Sequence, residues 1–159
     1  MAVKTLSQLK DENRDFNNVL DSMFPTPVAI ADAASVSLVK GTHQGRCLLV
    51  PDPSAEMTIT IPTPTAAGEY YKFVYAGAAE DDHNIIIEVG TGNSVYIQGG
   101  IALIDTNGNS SADYANGSSH EKLTLTDPGM FEINFLSTSA TVWQVWGWAV
   151  SADSAAFAD

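Results

Sequence analysis

MTITIPTPTAAGEYYKFVYAGAAEDDHNIIIEV, residues Met57 to Val89, contains three apolar runs cut apart by turn residues. In the first, Met57, Ile59 and Ile61 alternate with Thr58 and Thr60, a period of two that lines one face of a strand with large side chains. Pro62 and Pro64 stop it. In the second, Tyr71, Phe73 and Tyr75 share one face and Tyr70, Lys72 and Val74 the other, with the aromatic and β-branched content of a pleated surface. Gly77 opens the next turn. The third run, Ile85 to Val89, is apolar at nearly every position, which predicts a strand covered on both sides. Three such strands predict sheet and carry no catalytic chemistry of their own.

The same grammar extends in both directions. Upstream, Val36–Val39 and Arg46–Val50 read as strands around a Gly41–Gly45 turn, and Cys47 reads as a small buried hydrophobe. Downstream, Val95–Gln98 and the IALID segment are short strands separated by a Gly99–Gly100 bend, and Asp105–Ser119 is expected to be a long polar loop. Leu123 and Leu125, then Phe131, Ile133 and Phe135, supply two more alternating strands across the turn at Asp127–Gly129. TVWQVWGWAV, Thr141 to Val150, closes the pattern with an oddity: Trp143, Val145, Gly147 and Ala149 lie on one face, Val142, Trp146, Trp148 and Val150 on the other, and neither face is polar. Such a strand is either sandwiched between sheets or turns one face to another chain.

The N-terminal stretch differs. Leu6, Leu9, Phe16, Val19, Leu20, Met23 and Phe24 recur at helical spacing among acidic and amide residues. Thr5 and Gln8 fit a capping box, and Pro25 and Pro27 end the helix. Its apolar stripe needs a partner on its own sheet or on another subunit. The expected organisation is therefore a helical arm, residues 1–27, followed by a β domain, residues 28–159. The fold class is all-β, an antiparallel β-sandwich or jelly roll of about ten strands preceded by one amphipathic helix.

The chain has 159 residues, enough to bury a core as one domain, and a formal charge of −12 from 19 acidic against 7 basic residues. Three of the basic residues, Lys4, Lys10 and Arg14, fall in the arm, so no basic patch can form on the rest. Nucleic acid and anionic membrane are therefore not expected as partners. One cysteine excludes an internal disulfide, and the N-terminus has no apolar signal region, so synthesis in a cytoplasm is expected.

Motifs for chemistry are sparse. Asp105, Asn107, Asn109, Ser111 and Asp113 match the odd positions of a Ca²⁺ loop, but Ser110 replaces the turn glycine and Asn116 the bidentate glutamate. Asp81, Asp82 and His83 are adjacent in extended chain and point to opposite sides, and His43 and His120 are distant in sequence, so no metal site is predicted. No nucleophile elbow, phosphate loop or singled-out carboxylate pair is present. The expectation is a protein that is not an enzyme and carries no cofactor.

The segment LLVPDPSAEMTITIPTPTAAGEYYKFVYAGAAEDDHNIII resembles small virion proteins of tailed bacteriophages. The matching residues are Ile59–Pro62, Gly68 with Tyr71, Phe73 and Val74, Asp82 with His83, Gly99 with Gly100, then Trp143, Val145, Gly147 and Phe157. The resemblance implies a head decoration or cement protein on the outer surface of the capsid, bridging and stabilising capsomers of the major capsid protein. It also implies self-association as a homotrimer. The candidate capsid or subunit interface comprises the seven apolar arm residues with Trp146, Trp148 and Phe157. The alternative it implies is a head- or tail-fibre β-domain binding a host receptor or glycan, with Tyr70, Tyr96, Tyr114 or Trp148 stacking on sugar rings.

Overall fold

The structure, a computed structural model, describes residues 26–77, 82–105, 110–151 and 156–159. The helix expected over Leu6–Phe24 lies outside the described residues. The three runs of the Met57–Val89 stretch form β4 (Met57–Thr60), β5 (Tyr70–Tyr75) and β6 (Ile85–Glu88). Before them lie β1 (Val28–Ala29), β2 (Ser35–Ser37), a single helical turn α1 (Lys40–His43) and β3 (Cys47–Val50). After them come β7 (Tyr96–Asp105), β8 (Ser111–Asn116), β9 (Lys122–Leu125), β10 (Met130–Ser137), β11 (Val142–Ser151) and β12 (Ala156–Ala158). Among the described residues the chain is all-β apart from α1.

The strands divide between two sheets. Sheet A has seven, in the order β1-β3-β5-β10-β11-β7-β8, and sheet B has five, in the order β12-β9-β6-β4-β2. Consecutive strands of the central stretch therefore do not pair. β4 and β6 are neighbours in sheet B and run parallel, Ile59 opposite Ile87, because the chain between them crosses into sheet A to lay down β5. A direct hairpin would have made them antiparallel. The same crossing makes β2/β4 and β3/β5 parallel, and β7/β11 is parallel over ten residues, Tyr96 to Asp105 against Val142 to Ser151. The expected antiparallel architecture is thus corrected to two mixed sheets.

Alternation decides burial. Leu48, Tyr71, Phe73, Ile97, Leu103, Ile133, Phe135, Trp143 and Val145 from sheet A and Met57, Ile59, Ile85, Ile87, Leu123 and Leu125 from sheet B all belong to one buried cluster. Trp143 meets Tyr71 edge-on with ring centroids 5.6 Å apart, and Phe73 meets Phe135 the same way at 5.8 Å. Such pairs add to the area they bury. The third run is covered on one side only, since Ile85, Ile87 and Val89 are buried while Ile86 is half-exposed on the far face.

Two other expectations give way. Gly99 and Gly100 do not interrupt the sheet; they sit inside the ten-residue β7. The polar Ser111–Asn116 segment is not loop but β8, antiparallel to β7 at the sheet edge. Its composition is poor for a strand, and pairing wins because Gly100 leaves room for the ring of Tyr114: a Cβ there would stand 2.8 Å from the Tyr114 Cδ1. Gly147 has a stricter reason. At φ +148, a Cβ on it would lie 2.1 Å from the Glu132 carbonyl oxygen, so only glycine lets β11 close on β10 there.

A polar knot pins the entry to β5. Glu69 is buried, takes Lys40 Nζ at 2.9 Å and 2.8 Å on its two oxygens, and accepts from both the amide and hydroxyl of Thr65 at 2.7 Å and 2.6 Å. Burial pulls its pKa up, but Lys40 and Thr65 outweigh burial and hold the carboxyl at about 2. Ser137, on β10, accepts from the Glu69 amide at 2.8 Å and donates to Ala66 O at 2.7 Å, locking the same turn to the sheet.

Candidate interaction face

The alternation that sends Trp143, Val145 and Ala149 inward sends Trp146 and Trp148 outward, onto the far face of sheet A. The register of β5, β10, β11, β7 and β8 sets the side chains of that face in rows. One row runs Lys72, Asn134, Trp146, Gly100, Tyr114, and the next Val74, Glu132, Trp148, Ala102, Ala112. A third holds Met130, Val150 and Ile104. A fourth, at the opposite end, holds Tyr70, Leu136, Gln144, Gln98 and Asn116.

This face is apolar and open. Met130 is 62% exposed, Ile104 47%, Trp146 42%, Trp148 37% and Tyr114 73%. Together they border Gly100, Ala102 and Ala112, a strip of small residues beside the tryptophan ridge. Monomeric proteins rarely leave such a contiguous surface to water, and tryptophan, tyrosine and methionine are the residues enriched in interface cores.

Two polar pairs on the face are satisfied by each other. Lys72 Nζ pairs with Glu132 Oε1 at 2.9 Å, which pushes the lysine pKa up against the opposing effect of its partial burial. Tyr70 donates its hydroxyl to Asn134 Oδ1 at 2.5 Å and stacks on Trp146 with centroids 6.3 Å apart. Desolvation, first of all, raises the tyrosine pKa. A partner covering this surface therefore meets a neutralised ion pair and a fixed indole, with little polar cost to burying either.

Trp146 and Trp148 are thus brought together as the sequence predicted, with Tyr70 and Tyr114 beside them. Phe157 is elsewhere: on β12 it packs against the core from sheet B and stacks on His120 at 6.4 Å. The seven apolar residues of the arm lie outside the described residues. Sequence reasoning missed Met130, Ile104 and Val74, although each is the outward apolar member of a strand whose alternate residues point inward. Cys47 is likewise half-buried on the outer side, since Leu48 and Val50 take the inward positions.

The other motifs serve structure. His83 lies in an open depression with Glu56, Asp82 and Asp127, and its Nε2 donates to Ser54 O at 3.0 Å, tying one loop to another. His43 accepts from the Val39 amide at 2.9 Å. Among the described residues no group of three or more His, Cys, Asp or Glu side chains converges as a metal site would require. No described helix is long and apolar enough to cross a membrane. No known family model matches the chain, and no curated protein matches it.

Proposed function

We propose that this chain is a bacteriophage head decoration protein, a cement that sits on the outer surface of the capsid and bridges capsomers of the major capsid protein. The observation that carries the proposal is the exposed apolar face of sheet A among the described residues, which suits a protein–protein seam on an otherwise well-packed β body. In this reading the two mixed sheets pack face to face as a β-sandwich. The protein works as a homotrimer, by fit and not by turnover, with neither cofactor nor metal. Its acidic balance, −12 overall, agrees with a place outside a packed genome and away from nucleic acid and membrane. Several copies around a symmetry axis would convert weak individual contacts with the shell into firm attachment.

Added to expanded empty heads of the same phage assembled without it, the purified chain is expected to bind at a fixed ratio to capsomers and to raise the melting temperature of the heads. Binding to host cells or glycans, with heads untouched, would instead establish the fibre-domain reading, for which the exposed rings of Tyr114 and Trp148 are the supporting observation.

A further inference from the structure

We infer that the outer face of sheet A is the seat of the Leu6–Phe24 segment of a neighbouring copy, so that subunits are joined by exchange of their N-terminal arms. The inference rests on the self-assembly in the proposed function and names the surfaces that carry it.

Three observations converge. The arm carries an apolar stripe of seven residues that needs a cover, and the face is an apolar surface that needs one. Their dimensions agree: a helix from Leu6 to Phe24 is about 28 Å long at about 1.5 Å per residue, and the ten-residue strands under the tryptophan ridge run about 33 Å. The chemistry also agrees, because the only described ion pair on the face, Lys72 with Glu132, is already closed and asks for no charged partner.

The exit of the arm favours a neighbour over the same chain. β1 is an edge strand of sheet A, its pairing with β3 begins at Val28 opposite Leu48, and Arg46 Nη1 donates to Thr26 O at 3.5 Å. Pro25 and Pro27 flank Thr26, and a residue before proline is pushed to extended geometry. Phe24 and Thr26 each precede a proline. β1 stands four places from β11 in sheet A, so the arm is attached at an edge of its own sheet and not over the tryptophan ridge. A segment attached at an edge strand is placed to reach the sheet of the next subunit around a symmetry axis, and such an exchange closes a ring when each copy gives and receives one arm.

The test uses the full chain with Phe16 replaced by the photo-reactive p-benzoylphenylalanine, mixed with an excess of ¹⁵N-labelled unmodified chain. After illumination, the inference expects cross-linked peptides joining the unlabelled arm to ¹⁵N-labelled segments containing Met130, Trp146 or Trp148. Cross-links confined to peptides of the same unlabelled chain would overturn it in favour of an arm folded back on its own face. Cross-links that avoid these segments altogether would overturn it outright. In parallel, Phe16→Asp with Leu20→Asp is expected to reduce the mass measured by light scattering to that of one chain, with the β circular-dichroism signal kept; an unchanged assembly would refute the seam. Head binding separates the two proposals. An arm-exchanged oligomer that ignores heads removes the decoration function alone, and a monomer that coats heads removes the exchange alone.

Discussion

The two sheets have equivalent inner faces and opposite outer ones. On sheet B the outward positions are Ser35 and Ser37, Thr58 and Thr60, Glu88, Lys122 and Thr124, with Ile86 the one large apolar residue among them. Thr60 donates to Glu88 Oε1 at 2.8 Å, so even the charge there is held in a local network. On sheet A the outward positions include Lys72, Glu132, Asn134, Gln144 and Gln98, but among them stand seven large apolar residues, Val74, Leu136, Met130, Trp146, Trp148, Val150 and Ile104. Both sheets alternate, and alternation alone says only which side is inward. What separates them is the chemistry of the other side: threonine-rich on sheet B, as suits a surface facing water, and on sheet A carrying tryptophan, methionine and isoleucine, the composition of a surface suited to meeting protein.

The strongest way to break this comparison lies within β11, where inner and outer tryptophans share one strand. Trp143→Ala should cost about 3–5 kcal/mol and sharply lower the thermal midpoint, since it empties a fully buried site. Trp146→Ala with Trp148→Ala should leave the isolated chain within about 1 kcal/mol of its starting stability. The same pair should abolish self-association in sedimentation experiments. Equal losses of stability from both changes would mean that the outer face is not free.

Next in size is the buried carboxyl at the entry to β5. The folded-state pKa of Glu69, about 2, lies below its ordinary value of 4.5, so its contribution to stability is complete above 4.5 and is lost as the pH falls from there towards 2. Lys40→Met should cost on the order of 1–3 kcal/mol at neutral pH and move the acid-unfolding midpoint upward, followed by tryptophan fluorescence. An unchanged midpoint would show that the ion pair does not hold the turn.

The smallest effects belong to sheet B. Ile86→Thr, which completes the polar pattern of that face, should change stability by about 0.5–1 kcal/mol at most and leave the oligomer intact. A loss of assembly from this change would place the seam on the wrong sheet.

Much of the fold was legible in particular residues. Alternation in MTITI, YYKFVY and FEINF located β4, β5 and β10 and their inward faces, and the doubly apolar VWQVWGWAV marked β11 as the strand that shows large apolar side chains on both faces. β8 was not legible. SADYAN carries no strand pattern and became one by pairing with β7 over Gly100, a contact between residues far from any local signal. Phe157 was legible as an apolar residue needing cover, but not as one whose cover is the core beside His120.

The sequence by itself determined which residues face inward, because the period of two is a property of the extended chain and survives any arrangement of strands. Only the tertiary structure decided strand order and direction. β4 and β6 lie side by side and parallel because β5 is spent in the other sheet, and a connection of that length leaves no periodic trace. The same is true of the exposed apolar face: Met130, Trp148 and Tyr114 belong to three different strands, and only the register between them makes one surface of residues that stand far apart along the chain.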